Sequence, residues 1–338
     1  MIWHHIALQV HIVNKLFIMI DQTKEEISRR KFIGSISVLG AGLWLVPKMI
    51  VAQSPKQSPV ITIINAAKTA KINITKLRGN ISMLEGSGGN IAVMHGGQGK
   101  LLVDAGIGVS KPNVLNALNS ISSDPVKYLI NSHWHFDHTF GNEWLHEEGA
   151  TIIAQDVTKE HLKKTIRVED WQYTFPPQGK GALPTVVYKT EHSLFFNGES
   201  IHIKAYRPAH TDCDSAIHFQ NADILHVADT FWNGYYPFID YSTGGSIDGM
   251  IHAAQLNVSR AQQNTIVIPG HGPIGNKDKL IEFHEMLSET REKVSKLKKQ
   301  GKTLAEVVDS KPTAAYDAKW GGFVIDGSTF TYLVYKGI

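Results

Sequence analysis

The chain has 338 residues, 42% of them hydrophobic, which is enough for one large domain or two small ones with a sizeable core. Its 34 basic and 31 acidic side chains leave a formal net charge of +3, too even a balance to indicate nucleic acid or an anionic membrane as a partner. The single cysteine, Cys213, excludes an intramolecular disulfide and a thiolate cluster, so a metal site would have to use imidazole and carboxylate. The 17 histidines are therefore the compositional feature to follow.

The first part of the chain carries an export pattern. The run Ser-Arg-Arg-Lys-Phe-Ile at 28–33 precedes an apolar stretch at 34–46, and the small residue Ala52 follows. This pattern resembles a twin-arginine signal, and its apolar stretch is shorter than the roughly 20 residues that a membrane-spanning helix needs. We expect cleavage near Ala52, export to the periplasm by the twin-arginine machinery, and no stable membrane anchor afterwards. The alternative is a buried core helix with a basic cap.

Residues 1–18 make no recognisable signal region, so Met19 is a candidate start. A polar stretch follows the signal and is interpreted as a linker. The chain is then expected to divide into an N-terminal extension with the signal at 1–52, a linker at 53–71, a main domain at 72–310, and a C-terminal extension at 311–338 that packs on the main domain.

Short β-rich runs separated by Gly and Asn turns open the main domain and predict an antiparallel meander, with strands at 72–77, 81–84, 91–95 and 101–103. Beyond them strand and helix alternate, which is typical of layered α/β folds. The further predicted strands are 126–130, 151–154, 200–205, 216–219, 224–228 and 265–268. The predicted helices are 113–121, a segment after Thr139, 157–167, 247–261 and 277–299. Two halves of like composition predict a β-sandwich with helices outside.

A stretch rich in proline, glycine and aromatic residues, 169–188, is predicted to be a long irregular loop. Long loops in compact domains are often functional. This one is interpreted either as a lid or as a mobile segment.

Four potential metal ligands follow the strand predicted at 126–130, within Asn-Ser-His-Trp-His-Phe-Asp-His. In an extended segment, residues two apart project to one side, so His133 and His135 can approach one metal. Asp137 and His138 then turn toward a second metal. The alternative is four unrelated surface or core residues.

This H-x-H-x-D-H spacing at a strand end resembles the metal-binding signature of the metallo-β-lactamase superfamily. Three later segments at strand-to-loop junctions are similar to the family's remaining ligand segments, in family order, and contain His210, Asp229 and His271. The likeness extends over roughly residues 72–297 and includes Leu-Val-Asp-Ala-Gly at 102–106. It implies an α/β chain folded as an αβ/βα four-layer sandwich, the metallo-β-lactamase fold.

The resemblance also implies a site for two metal ions. The first ion would be held by His133, His135 and His210, and the second by Asp137, His138 and His271, with Asp229 bridging the two. Relatives with a di-iron centre carry glutamate where His135 stands, so an all-nitrogen first site favours two Zn²⁺, with iron or manganese possible. Such a pair would provide a metal-bound hydroxide near neutral pH to attack a carbonyl. Asp137 is the candidate catalytic residue, which would orient the hydroxide or shuttle a proton.

Other residues near the motifs have two interpretations each. Asp104 is either a partner for a ligand imidazole or a turn-forming aspartate. Asn233 or Tyr236 either donates a hydrogen bond to an oxyanion or has a structural loop role. Cys213 is more consistent with packing than with reactivity.

Aromatic residues close to the ligands either line an apolar substrate pocket or pack in the core, and core packing is the favoured prediction for each. They are Trp134, Phe136, Trp171, Tyr173, Phe175, Phe231, Trp232, Tyr235, Tyr236 and Phe238. The histidines without ligand partners in the pattern are expected to be structural. They include His95, His192, His202, His218, His226, His252 and His284.

The expected function is that of an exported zinc-dependent hydrolase acting on an ester, thioester, lactone or lactam carbonyl of a small molecule. No nucleic-acid-binding element is evident, so nucleic acid is not expected as a partner. A class B β-lactamase is the first alternative, although Asp229 stands where the best-known subclass has a cysteine ligand. The second alternative is a non-catalytic periplasmic accessory protein that binds a metal or a redox partner.

Overall fold

The structure, a computed structural model, describes residues 58–338. The expected signal, its cleavage near Ala52 and the candidate start at Met19 lie outside the described residues. Within 58–338, every helix is too short or too polar to cross a membrane.

Two mixed β-sheets form the centre of the molecule. The first has the order β1-β2-β3-β4-β5-β6-β9, with strands Asn73–Lys76 (β1), Ile81–Glu85 (β2), Ile91–Gly96 (β3), Gly99–Val103 (β4), Val126–Ile130 (β5), Thr151–Gln155 (β6) and Val186–Tyr188 (β9). The second has the order β10-β11-β12-β13-β14, with strands Glu191–Phe196 (β10), Glu199–Ala205 (β11), Ser215–Phe219 (β12), Ile224–Trp232 (β13) and Ile266–His271 (β14). A small hairpin pairs Ile166–Val168 (β7) with Tyr173–Phe175 (β8).

The α-helices of the described part of the chain lie mainly on the outer faces of these sheets. They are Pro59–Ala67 (α1), Lys111–Ile121 (α2), Phe136–Thr139 (α3), Asn142–Glu147 (α4), Asp156–Leu162 (α5), Ile247–Arg260 (α6), Lys277–Lys299 (α7), Leu304–Asp309 (α8), Asp317–Trp320 (α9) and Gly327–Lys336 (α10). Short 3₁₀ turns occur at Gly108–Ser110, Glu169–Trp171, Lys180–Ala182 and Tyr241–Thr243.

Successive side chains of the central strands point to opposite faces of each sheet, and the core is therefore divided into three apolar layers. In β4, Leu101 and Val103 face the second sheet, whereas Leu102 faces α2 and α4. β5 does the same with Ile130 inward and Leu129 outward. Because successive side chains of a strand point to opposite faces, one apolar run serves both interfaces. The other outer layer packs α6, α7 and α10 on the second sheet, which completes the predicted four-layer sandwich.

The predicted linker is wrong in part, because residues 59–67 form α1. Ser58 caps this helix by accepting a hydrogen bond from Val60 N, and Pro59 occupies a first-turn position. Val60 and Ala67 are buried in the outer core layer. The segment was interpreted as a linker because of its polar flanks, but its apolar face is covered by the domain.

The helix predicted at 157–167 is also wrong at its C-terminal end. It stops at Leu162, whose carbonyl accepts a hydrogen bond from Gln178 N, and the chain then enters β7. The predicted irregular loop at 169–188 contains β8, β9 and two 3₁₀ turns. Strand β10 was not predicted, although its exposure alternates along its length.

The C-terminal segment packs against the second sheet's helices. The Phe330 ring stacks on the Tyr236 ring at 4.7 Å between centroids, and the Tyr241 hydroxyl donates to the Leu333 carbonyl at 2.8 Å. Phe330 is fully buried. This segment therefore shares its core with the rest of the described chain.

Candidate metal centre

Strand ends bring the candidate ligands to one edge of the sandwich. β4, β5 and β6 run parallel, as do β13 and β14, so within each set the carboxyl ends lie side by side. Asp104 follows β4, the H-x-H-x-D-H segment follows β5, and His271 ends β14. Pairing between β13 and β14 is irregular around Ala228, which has a φ of 45°, and this local distortion immediately precedes Asp229.

All seven predicted ligands come together and are buried, with exposures from 0 to 8%. They form two adjoining clusters whose potential ligand atoms lie within 4.8 Å of one another in each cluster. The first cluster consists of His133, His135, His210 and Asp229, and the second consists of Asp137, His138 and His271.

Asp229 contacts both clusters. Its Oδ2 lies 3.3 Å from His210 Nε2 in the first cluster and 3.4 Å from His271 Nε2 in the second. Its Oδ1 lies 3.1 Å from His138 Nε2, without the alignment of a hydrogen bond. The carboxylate is therefore placed between the two groups of imidazoles.

Three of the clustered histidines are oriented by hydrogen bonds from the ring nitrogen that points away from the centre. His210 Nδ1 donates to the Phe238 carbonyl at 2.8 Å, and its Nε2 faces His135 Nδ1 at 2.8 Å. His138 Nδ1 lies 2.8 Å from Asp104 Oδ2, and His135 Nε2 lies 3.0 Å from Asp240 Oδ2. Such partners fix the tautomer and orientation of ligating imidazoles.

His133 is oriented through a short relay. Ser132 Oγ donates to Asp104 Oδ2 at 2.7 Å and lies 3.0 Å from His133 Nδ1. Because the serine proton is directed to Asp104, the oxygen accepts the proton of His133 Nδ1, and His133 Nε2 is left as a lone pair. Asp104 therefore supports both His133 and His138, which is the partner role considered for it in the sequence.

Several buried atoms in the centre lack hydrogen-bond partners. His133 Nε2, His138 Nε2 and Asp229 Oδ1 are inaccessible to solvent and make no hydrogen bond among the described residues. Unpaired buried polar atoms are costly unless they bind something. Imidazole nitrogens and carboxylate oxygens are the donors that zinc prefers where thiolates are absent. The donor set therefore fits a metal ion.

The electrostatics of the centre are those of a cation site. Burial and the neighbouring imidazoles lower the pKa of His133 well below its usual value, and burial lowers that of His210 to about 4. These two rings are neutral and have lone pairs to offer. Burial opposes charge on His271, but Asp229 and Asp137 outweigh it and raise its pKa to about 9. Two buried carboxylates thus hold positive charge beside them.

A glycine-containing turn before β3 closes one side of the centre. A Cβ on Gly89 would lie 2.1 Å from His138 Cε1, and a Cβ on Gly88 would lie 2.6 Å from Asp137 Cβ. Side chains at these positions would displace the two ligands. The glycines were interpreted only as turn punctuation in the sequence, and their contact with the ligands was missed.

Asp240 was also missed by the sequence reasoning. It lies more than a hundred residues after His135 in the chain, and no motif marks it. Its carboxylate also accepts hydrogen bonds from Ser242 N and Thr243 Oγ1, which fixes its position. A search for carboxylates near ligand histidines requires the fold, since nothing in local spacing identifies this residue.

Neither oxyanion candidate is free to serve that role. Asn233 Nδ2 donates to the carbonyls of Pro273 and Ile274, and Tyr236 OH donates to Asp317 Oδ1. Both side chains therefore have the structural role that was the alternative prediction.

The aromatic residues divide between core and cavity. Trp171 and Trp232 line the cavity over the clustered ligands, and Tyr235 lines an adjoining one. Most of the others are buried in the outer core layer, as predicted: Trp134, Phe136, Phe175, Phe231, Tyr236 and Phe238. Cys213 is 1% exposed and burial raises the pKa of its thiol, which agrees with packing rather than reactivity.

Comparison with known proteins gives the family. The sequence profile described as the Metallo-beta-lactamase superfamily matches residues 84–271, more than half of the chain. The chain therefore belongs to the metallo-β-lactamase superfamily, and the predicted fold is confirmed. Together with the two His/Asp clusters, this membership indicates a metal-dependent hydrolase. No curated protein matches the sequence significantly.

Similar solved structures share the fold at low identity. The DIM-1 metallo-beta-lactamase is 22% identical with a TM-score of 0.52, and the match covers 65% of this chain and 98% of that one. A metallo-beta-lactamase from Pontibacter korlensis is 16% identical with a TM-score of 0.52, covering 64% and 99%. A double mutant of the sec-alkyl sulfatase PisA1 is 15% identical with a TM-score of 0.59, covering 81% of this chain and 51% of that one.

Proposed function

We propose that this protein is an exported dinuclear zinc hydrolase that cleaves an ester, thioester, lactone or lactam carbonyl in a small molecule. The observation that supports the proposal most directly is the position of Asp229, which contacts both ligand clusters in a site with unpaired buried donors. A single metal site would not need a carboxylate between two groups of imidazoles.

The proposed ligand assignment follows the clusters and the hydrogen bonds behind them. One ion would be held by His133 Nε2, His135 Nδ1 and His210 Nε2, and the other by Asp137, His138 Nε2 and His271, with Asp229 shared. Imidazole with carboxylate suits zinc, and iron or manganese are the competing ions that metal analysis would reveal.

A bound zinc pair would supply an activated water at neutral pH and would polarise the substrate carbonyl. Asp137 is placed to accept the proton of the activated water, since it lies on the cavity wall and its Oδ2 is 3.3 Å from His271 Nε2. Burial opposes its charge, but His138 and His271 lower its pKa, so this carboxylate is ionised and can accept a proton. Trp171 and Trp232 line the same cavity and give it apolar walls.

The β-lactamase alternative has no support beyond the shared fold. The lactamases among the similar structures are at most 22% identical to this chain. The accessory-protein alternative is disfavoured because the structure brings all seven candidate ligands to one buried place. Lactam hydrolysis is therefore one outcome of a substrate panel rather than a separate proposal.

Export is the part of the proposal that depends on the sequence alone. The twin-arginine route carries folded proteins, so a centre filled in the cytoplasm could reach the periplasm intact. Fractionation of cells that express the wild type or the Arg29→Lys, Arg30→Lys double variant tests it. We expect the wild type in the periplasm and the variant in the cytoplasm, and equal distribution of the two would contradict the export pathway.

The enzymatic proposal is tested on the full chain produced in zinc medium. Metal content by plasma mass spectrometry is expected to be two zincs per chain for the wild type and fewer for Asp229→Asn, whose amide is a weaker and neutral ligand. A panel of chromogenic esters, thioesters, lactones and lactams then identifies the carbonyl class. One metal or none, with no turnover of any substrate, would overturn the proposal in favour of an accessory role.

A further inference from the structure

Two cavities meet beside the ligand clusters. The first has about 400 Å³ of space and the second about 410 Å³, and both volumes include space that is open to solvent. Both cavities are lined by Gly88, His271 and Phe323, so the two spaces adjoin at these residues. A substrate held at the centre would extend into both.

The first cavity is apolar apart from the candidate ligands. Its other walls are Ile63 of α1, Trp171, Trp232, and Phe323 with Val324 from the C-terminal segment. Such a wall binds a hydrocarbon or aromatic group of the substrate. It offers no charge that would distinguish one substituent from another.

The second cavity has a different chemistry because Glu85 lies in its wall. Glu85 is the last residue of β2 and is half-buried. Among the described residues that line this cavity, Glu85 is the only carboxylate. The other polar side chains there are His271, Asn90 and Tyr235. Among residues 58–338, no basic side chain lies within ion-pair distance of its carboxylate.

The neighbouring polar groups do not neutralise this carboxylate. Asn90 Nδ2 already donates hydrogen bonds to the carbonyls of Pro269 and Gly272, at 2.9 Å each. Burial raises the pKa of Glu85, so the surroundings of this carboxylate are partly desolvated. The pKa of Tyr235 is raised by burial and also by the negative charge of Glu85, so this charge acts across the cavity. No lysine or arginine of the described chain lines either cavity.

We propose that Glu85 is a specificity-determining residue that makes the enzyme select neutral or cationic substrates over anionic ones. The substrate class is then a small ester or lactone with an apolar or aromatic group and without a carboxylate close to the scissile bond. This inference rests on the proposed hydrolase function. Two like charges separated by about 8 Å at an effective dielectric constant of about 20 repel enough to cost at least about tenfold in binding.

The test uses three phenyl acetates that differ only in the para substituent, which is a carboxylate, a carboxamide or an aminomethyl group. They are assayed at about pH 8, where carboxylates are ionised. For the zinc-loaded wild type we expect kcat/KM for the carboxamide to exceed that for the carboxylate by about tenfold or more. In Glu85→Gln, which keeps the shape and removes the charge, we expect this ratio to fall at least about threefold.

The matched control is Glu147→Gln, which removes the same charge from an exposed position on α4, away from both cavities. Its ratio should equal that of the wild type. A Glu85→Gln ratio equal to the wild-type ratio, with normal thermal unfolding, would overturn the inference. A fall of the same size in Glu147→Gln would overturn it too, because the effect would then be one of net charge.

A second measurement separates this inference from the proposed function. Binding of the matching benzyl methyl ethers, which cannot be hydrolysed at a carbonyl, is followed by quenching of tryptophan fluorescence, to which Trp171 and Trp232 in the cavity wall contribute. If neither the phenyl esters nor any thioester, lactone or lactam of the panel is hydrolysed but Glu85→Gln selectively improves binding of the carboxylate ether, the hydrolase proposal fails and the charge selection stands. If esters are hydrolysed and neither readout depends on Glu85, the selection fails and the hydrolase proposal stands.

Discussion

Asp240 Oδ2 lies 3.0 Å from His135 Nε2, so a loop between the second sheet and α6 orients a ligand that belongs to the first sheet. The aspartate is buried and is itself fixed by Thr243 Oγ1 and Ser242 N. Burial opposes its charge, but hydrogen bonding to His135 lowers the pKa of Asp240, so the pair is held as carboxylate and ring N–H. His135 therefore presents Nδ1 to the centre.

The first prediction removes this charge. In Asp240→Asn we expect the affinity of the metal at the His133 cluster to fall by about 10- to 100-fold, because outer carboxylates raise the basicity of ligand imidazoles. Competition with a chromophoric chelator measures it. Asp326→Asn is the control, since Asp326 caps α10 by accepting from Thr329 N and belongs to neither ligand cluster. Unchanged affinity in Asp240→Asn would show that the contact has only a structural role.

The second prediction concerns Asp104, which lies behind His138 and, through Ser132, behind His133. Because it supports one ligand from each cluster, Asp104→Asn should weaken both metals, whereas Asp240→Asn should weaken one. A two-site chelator titration distinguishes the two patterns, with each loss about 10- to 100-fold. If Asp104→Asn weakened a single site, the hydrogen bonds from Asp104 through Ser132 to His133 would make no contribution to metal affinity.

Sequence reasoning found four of the candidate ligands from the spacing of the H-x-H-x-D-H segment, which directly follows β5. The resemblance to the superfamily supplied the other three, His210, Asp229 and His271. Strand β5 was predicted with its observed bounds because a short apolar run ends directly at the motif. In contrast, Asp240 and Glu85 act across the fold and have no local pattern. Only the packing of the two sheets brings them to the centre.

Errors in the predicted elements also have physical causes. The helix predicted at 157–167 was extended too far because Leu162 and Ile166, four residues apart, fit a helical pattern. In the structure Ile166 instead pairs with Phe175, in the β7–β8 hairpin. The predicted linker concealed α1 because a nine-residue helix has little signal of its own, and its stability comes from burying Val60 and Ala67.

The third prediction tests the close approach of Gly89 to His138. In Gly89→Ala the new Cβ would lie 2.1 Å from His138 Cε1, so the ring must move, and we expect destabilisation of about 1–3 kcal/mol together with loss of metal from the Asp137 cluster. Gly97→Ala is the matched control, because its Cβ would meet nothing within 4 Å. Thermal unfolding and metal content measure the two effects. Equal behaviour of the two variants would contradict the contact.

The last prediction tests whether the C-terminal segment is part of the folding unit. Phe330 of α10 is fully buried and stacks on Tyr236, whose hydroxyl is held by Asp317. Phe330→Ala should lower the free energy of unfolding by about 3–5 kcal/mol, since it removes a buried ring and leaves a cavity. Phe195→Ala, at a ring that is 70% exposed on β10, is the control and should change it by less than about 1 kcal/mol. Denaturant unfolding of both variants tests whether the C-terminal segment folds together with the main domain. If the segment folded separately, the main unfolding transition would be unchanged in Phe330→Ala. A single shifted transition would instead show that the segment carrying Phe323 over the metal centre is stabilised by the same core as the ligand strands.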